Sequence, residues 1–186
     1  MNRKVFMLTA GLLCLVRISP AQAQAGRISL YSDPGWSNTV AYDTVPGSLT
    51  VYVVHDHTID GWRAASFKID SGAGFTGVWV GETSPYTVTL GTSPTGIDIY
   101  YGSCTPLPTH LLTITYQTFG TSAACSYLES APHPDRPEGY IVTTTCSGYH
   151  IPSESGRLFI NPDSTCTQVP VRTTSWGSIK SLYVSN

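Results

Sequence analysis

Apolar and polar positions alternate along much of this chain. In Leu112-Thr113-Ile114-Thr115-Tyr116, Leu, Ile and Tyr share one face and the two threonines the other, the period-two signature of a half-buried strand. Similar runs predict strands at Arg27–Ser32, Leu49–His55, Trp62–Asp70, Phe75–Gly81, Tyr86–Leu90, Ile97–Tyr101, His110–Thr118, Ala123–Glu129, Gly139–Cys146 and Arg157–Ile160. Turn formers fill the gaps, as in Asp33-Pro34-Gly35, Val45-Pro46-Gly47, Asp60-Gly61, Ser71-Gly72-Ala73-Gly74 and Asn161-Pro162-Asp163. Many short strands with no linker or repeat predict one all-β domain, a single β-sandwich of immunoglobulin-like or jelly-roll type. A short C-terminal helix is expected where Thr174 or Ser175 can cap a turn and Trp176, Ile179, Lys180 and Tyr183 recur at helical spacing. Its apolar face is expected to pack on the sandwich. Composition agrees with β structure, since Thr and Ser supply 45 of 186 residues and aromatics 20.

The first residues break the alternation. Arg3 and Lys4 precede an apolar run from Val5 to Val16, and Ala21-Gln22-Ala23 followed by Gln24-Ala25 offers small-residue cleavage sites. Residues 1–23 therefore read as a signal peptide forming an N-terminal signal helix, with cleavage near 23–25 and a domain over 24–186. Leu13 before Cys14, and the run continuing past it, argue against a lipid anchor. A membrane-spanning helix needs roughly 20 apolar residues, so no membrane insertion of the mature chain is expected. The expected location is secreted or periplasmic. Removing the signal takes Arg3, Lys4 and Arg17 and leaves seven basic against twelve acidic side chains, a net charge of −5. No basic cluster remains, which excludes nucleic acid as an expected partner.

Four cysteines follow the signal, Cys104, Cys125, Cys146 and Cys166, spaced by 21, 21 and 20 residues. In an oxidising compartment they predict two structural disulfides rather than a zinc site, whose ligands come in closer pairs. Three connectivities are open. A hairpin turning within Ala131–Gly139 would place Cys125 opposite Cys146 and leave Cys104 with Cys166, and this pairing is the favoured one.

The segment Thr174-Ser175-Trp176-Gly177-Ser178-Ile179-Lys180-Ser181-Leu182-Tyr183 resembles the closing W-G-x-I-K-x-L-Y segment of a group of exported bacterial proteins. Cys125, Pro132-His133-Pro134, Cys146, Asn161 and Cys166 are similar to that group in order, over roughly the last 85 residues. The resemblance implies a cysteine-bearing β domain before the tail and brings no activity with it. Leu49–Val54 leading to Trp62–Asp70, and later Leu111–Tyr116, loosely resemble cohesin-like and other immunoglobulin-like modules of bacterial surface proteins. That likeness is one of fold, and fold does not imply function.

Candidate chemistry is sparse. His55 and His57 flank Asp56 at a strand end, and on an extended chain both imidazoles point to one face. With a third ligand from His110, His133, His150 or Asp60 they would suit zinc or copper; two solvent-facing histidines beside a polar turn explain the pair more simply. The chain has no G-x-S-x-G, H-E-x-x-H, Walker or EF-hand motif, and Gly91-Thr92-Ser93-Pro94-Thr95-Gly96 reads as a turn rather than a nucleophile elbow. Exposed aromatic rings could stack on sugars or mark a protein contact, with Trp36, in a loop, and Trp62 as the candidates. The leading expectation is an exported, non-enzymatic structural or interaction module without a cofactor, whose partner is an unknown protein or glycan. Carbohydrate binding through exposed aromatics, or metal binding through His55 and His57, are the alternatives.

Overall fold

The computed structural model describes residues 26–57, 61–164 and 166. Twelve strands form in chain order: β1 (Arg27–Tyr31), β2 (Val40–Ala41), β3 (Pro46–Asp56), β4 (Trp62–Ser71), β5 (Val78–Thr83) and β6 (Val88–Thr92), then β7 (Gly96–Thr105), β8 (Thr109–Phe119), β9 (Ser126–Ala131), β10 (Ile141–Thr145), β11 (His150–Ser155) and β12 (Arg157–Ile160). Each of the ten runs expected from sequence overlaps one of these strands. The alternation did not reveal β2, which is two residues long, or β11, where Pro152 interrupts the run. No helix occurs among the described residues. The signal helix, its cleavage site and the C-terminal helix lie outside the described residues.

One sheet runs β5–β8–β3–β1, all antiparallel neighbours. The other is built on β4, with β7 and then β6 on one side. On its other side β4 carries two strands in line, β10 against Trp62–Ser66 and β9 against Lys68–Ser71. β12 and β2 extend the β9 half, while β11 continues the β10 half and makes a short parallel contact with β1, joining the two sheets along that seam.

The inward faces meet in one core that includes Ile28, Leu30, Val51, Val53, Leu112 and Ile114 from the first sheet and Phe67, Ile69, Ile97, Ile99, Leu128 and Leu158 from the second. A bulge where β8 passes β3 lets both Leu111 and Leu112 turn inward. Burying side chains of this size contributes about 1.5–3 kcal/mol each, so the shared core is the main support of both sheets.

The disulfides correct the favoured pairing. Cys104 is bonded to Cys146 and Cys125 to Cys166. The expected hairpin does not form, because β9 and β10 do not pair with each other. Both lie antiparallel to β4, which is ten residues long and offers each a stretch of edge. Cys125 and Cys146 therefore fall at opposite ends of that line. Trp62, at the start of β4, pairs with Thr105 on one side and Thr145 on the other, which brings Cys104 and Cys146 together over Gly61. A Cβ at Gly61 would approach the two sulfurs to 2.5 and 2.7 Å, so only glycine leaves room for the bridge.

The opposite pole is closed by a polar knot. The buried Asp43 carboxylate accepts from the backbone N–H groups of Gly120 and Ser122 at 2.7 and 3.1 Å. Asn161 accepts from the Asp43 N–H at 2.7 Å and donates to the carbonyls of Asp43 and Ser122 at 3.1 and 2.8 Å. Burial alone would raise the Asp43 carboxyl, but hydrogen bonds from Ser122, Gly120 and Thr118 hold it below the ordinary range.

Candidate interaction surface

Strand register lines up two outward rows across the second sheet. Val88 of β6, Tyr100 of β7, Ala64 of β4, Thr144 of β10 and His150 of β11 make one row. Leu90, Asp98, Ser66, Val142 and Pro152 make the other. Outward positions of a one-sided sheet are ordinarily polar, yet Leu90, Val88 and Tyr100 expose 66, 49 and 43% of their surfaces. Together with Ala64 and Val142 they line a shallow, largely apolar depression. Adjacent exposed apolar side chains of this kind mark contact sites.

The connection between β9 and β10 covers part of this face. It interrupts what would otherwise be one long strand on β4, and Arg136 reaches from it across the sheet. The guanidinium donates from Nε to Ser66 Oγ at 3.1 Å and from Nη2 to Asp98 Oδ1 at 2.9 Å. Burial would raise the Asp98 carboxyl, but Ser66, Arg136 and the guanidinium charge keep it below the usual carboxylate range. The face thus has an apolar floor with one neutralised ion pair. His133 anchors the same connection by accepting from the Asp135 N–H at 3.1 Å. Its ring fills the space left at Gly96, where a Cβ would come within 2.6 Å of Nε2.

The residues singled out from sequence are not gathered into one site. Trp62 is only 1% exposed and sits in the core, so it presents no ring to a sugar. Its inward position follows from pairing at the start of the central strand, with neighbours on both edges. Trp36 is half-buried in the loop after β1, with φ of 54° and its ring stacked on His110 at 6.3 Å. Asp33 holds that loop by accepting from the N–H groups of Gly35, Ser37 and Asn38. Trp36 thus lies against the first sheet, away from the apolar face.

His55 and His57 do not share a face. Leu49, Val51, Val53 and His55 follow one inward alternation, and His55 is fully buried against Trp62, its Nδ1 3.0 Å from the Tyr101 hydroxyl. Burial pushes its pKa down to about 3, so it is neutral at ordinary pH. His57 lies beyond the end of β3 with φ of 68° and pairs with the carboxylate of Asp56, which also accepts from the Tyr31 hydroxyl. The two-histidine ligand set weighed as an alternative is therefore not assembled, and the favoured reading of two solvent-facing histidines fails at His55. Among the described residues Cys125, Asp163 and Cys166 bring three ligand-type atoms together, but the two sulfurs are joined as a disulfide.

The face that does stand out escaped the sequence reading, although one signal was present. From Thr83 to Ile97 the chain carries no charged residue, unusual for a stretch that includes an exposed edge strand.

No protein-family model and no curated protein matches the chain. Solved structures do. A cohesin module from a family 33 glycoside hydrolase of Clostridium perfringens covers 75% of this chain and 99% of its own, at 11% identity and a TM-score of 0.50. The chain has a cohesin-like fold. The sixth cohesin of Acetivibrio cellulolyticus scaffoldin B, solved in complex with a Cel5 dockerin mutant, covers 75% of this chain and 99% of its own at 11% identity and a TM-score of 0.49. A non-cellulosomal cohesin from Archaeoglobus fulgidus covers 73% of this chain and 91% of its own at 8% identity and a TM-score of 0.48. At these identities the likeness is one of fold.

Proposed function

We propose that this chain is an exported, non-enzymatic protein-interaction module that docks a protein partner on the outward face of β6, β7, β4 and β10. The observation that carries this reading is the contiguous apolar surface of Val88, Leu90 and Tyr100 on adjacent strands, where a solvated sheet would be polar. Such a face gains free energy when a partner covers it, and the Arg136–Asp98 pair gives a polar feature that orients what binds. The cohesin-like sandwich is compatible with this role, and the disulfides are compatible with export. No catalytic motif competes with it in the sequence. A glycan partner has less support, since Trp62 is buried and Trp36 is packed on His110.

The test is capture of extracellular proteins by the immobilised, disulfide-bonded full chain. Leu90→Lys and Tyr100→Ala should abolish retention of the captured protein, whereas Thr115→Lys on the other sheet should leave it intact. Equal retention by all three variants would overturn the reading.

A further inference from the structure

Val88, Leu90 and Tyr100 are exposed, and the segment Thr174–Tyr183, which lies outside the described residues, is amphipathic in sequence. In sequence Trp176, Ile179 and Tyr183 recur at spacings of three and four, the pattern that places side chains on one side of a helix. Charge favours bringing this segment to the sandwich. Residues 26–166 carry five basic and twelve acidic side chains, whereas residues 167–186 carry Arg172 and Lys180 and no acidic side chain. The segment is therefore attracted to the body that precedes it.

Length permits it as well. The bond from Cys166 to Cys125 anchors the start of the tail just before β9. From Cys125 to Leu128 is three residues, and from Ser71, paired with Leu128, back to Ser66 is five. At about 3.3 Å per strand residue the Ser66 row lies ~26 Å from the anchor. Residues 167–175 span up to ~30 Å when extended, enough to bring Trp176 to that row.

We propose that Thr174–Tyr183 docks within the same chain on the face of β6, β7, β4 and β10, laying Trp176, Ile179 and Tyr183 against Val88, Leu90 and Tyr100. The inference rests on reading that face as a docking surface, and it makes the chain's own tail a competitor of the outside partner. A short tether holds the segment at an effective concentration of ~1 mM, so an intrinsic affinity as weak as ~100 µM fills the face about nine-tenths of the time. An outside partner then binds about tenfold more weakly than to the open face.

The experiment places a photo-reactive benzoyl-phenylalanine at position 90 of the full-length, disulfide-bonded chain, with the same residue at position 80 as control. Leu90 and Val80 are similarly exposed, at 66 and 61%, but Val80 belongs to β5 on the other sheet. Illumination should give an adduct of monomer mass joining position 90 to residues 174–183, and none from position 80. Ile179→Asp, or Trp176→Ala as a second variant, should weaken docking by about tenfold or more, the effect of losing one docked apolar side chain, and so lower the yield by about half or more. No adduct with the tail, adducts confined to dimers, or a yield indifferent to both variants would overturn the inference. The adduct forms without any partner, so the two readings separate. Capture without an adduct overturns the tail inference alone, and an adduct without capture overturns the outside-partner reading alone.

Discussion

The two outer faces of this sandwich obey the same alternation but place their exposed apolar residues differently: on the first sheet Val78 and Val80 lie on the edge strand β5, and on the second Val88, Leu90 and Tyr100 lie across β6 and β7. On β3 and β8, in the middle of the first sheet, the outward pairs are Ser48 and Gln117, Thr50 and Thr115, and Tyr52 and Thr113. On the second they are Val88 and Tyr100, then Leu90 and Asp98, beside Ala64 and Ser66. Behind both lies the same core, so the difference owes nothing to what holds the fold together. A threonine-rich face satisfies water and tolerates exposure; an apolar one is stabilised by being covered. The contrast teaches that stability and binding are separable here, because the groups that would bind are not those that fold the chain.

The harshest way to break the contrast is to destroy what the faces share. Phe67→Ala empties a fully buried site in the strand beneath the apolar face and should destabilise by about 3–5 kcal/mol, read as a fall in the urea midpoint. Both faces should be lost together in one transition. Replacing Cys104 and Cys146 with serine removes the bridge across the start of β4 and should cost about 2–4 kcal/mol in the same assay.

Acid offers a graded version. His55 titrates at 6.5 when unfolded and at about 3 when folded, so the unfolded chain binds the proton more readily between those values. The stability its neutral form lends is full above pH 6.5 and lost as pH falls toward 3. About 2 kcal/mol should be gone by pH 5, and His55→Gln should flatten that slope in denaturation curves. The smallest effect on stability sharpens the comparison most. Leu90→Lys and Thr115→Lys should each change stability by no more than about 0.5 kcal/mol, yet only the first should remove partner retention.

Much of this was legible along the chain, and the failures have local causes. The strand at Leu112–Tyr116 was readable because its threonines and apolar residues alternate without interruption. The sequence reading left His55 facing solvent or a metal, whereas Val51, Val53 and His55 are all buried in the structure. The two-histidine reading went astray by treating a strand end as solvent-facing and by assuming that His57 continued the extended chain, which its φ of 68° does not. Trp62 looked like an exposed ring because nothing local to it says that β4 has neighbours on both edges. β11 was hidden by Pro152, which an edge tolerates and a run of alternating residues does not.

Alternation, turn residues and cysteine count are properties of neighbours in sequence, and they determined an all-β chain with ten of these twelve strands and two bridges. Which strands pair is a contest among distant segments for hydrogen-bonding edges, and only the tertiary structure decided it. Ten residues of β4 accommodate both β9 and β10, which split the cysteines into pairs that no local hairpin predicts. Val88 beside Tyr100 and Leu90 beside Asp98 are set more locally, by the β6–β7 hairpin, and β4 then adds Ala64 and Ser66 to those rows. The hairpin supplies the exposed apolar residues, and Ala64 and Val142 join them from distant segments only once register has brought β4 and β10 into line.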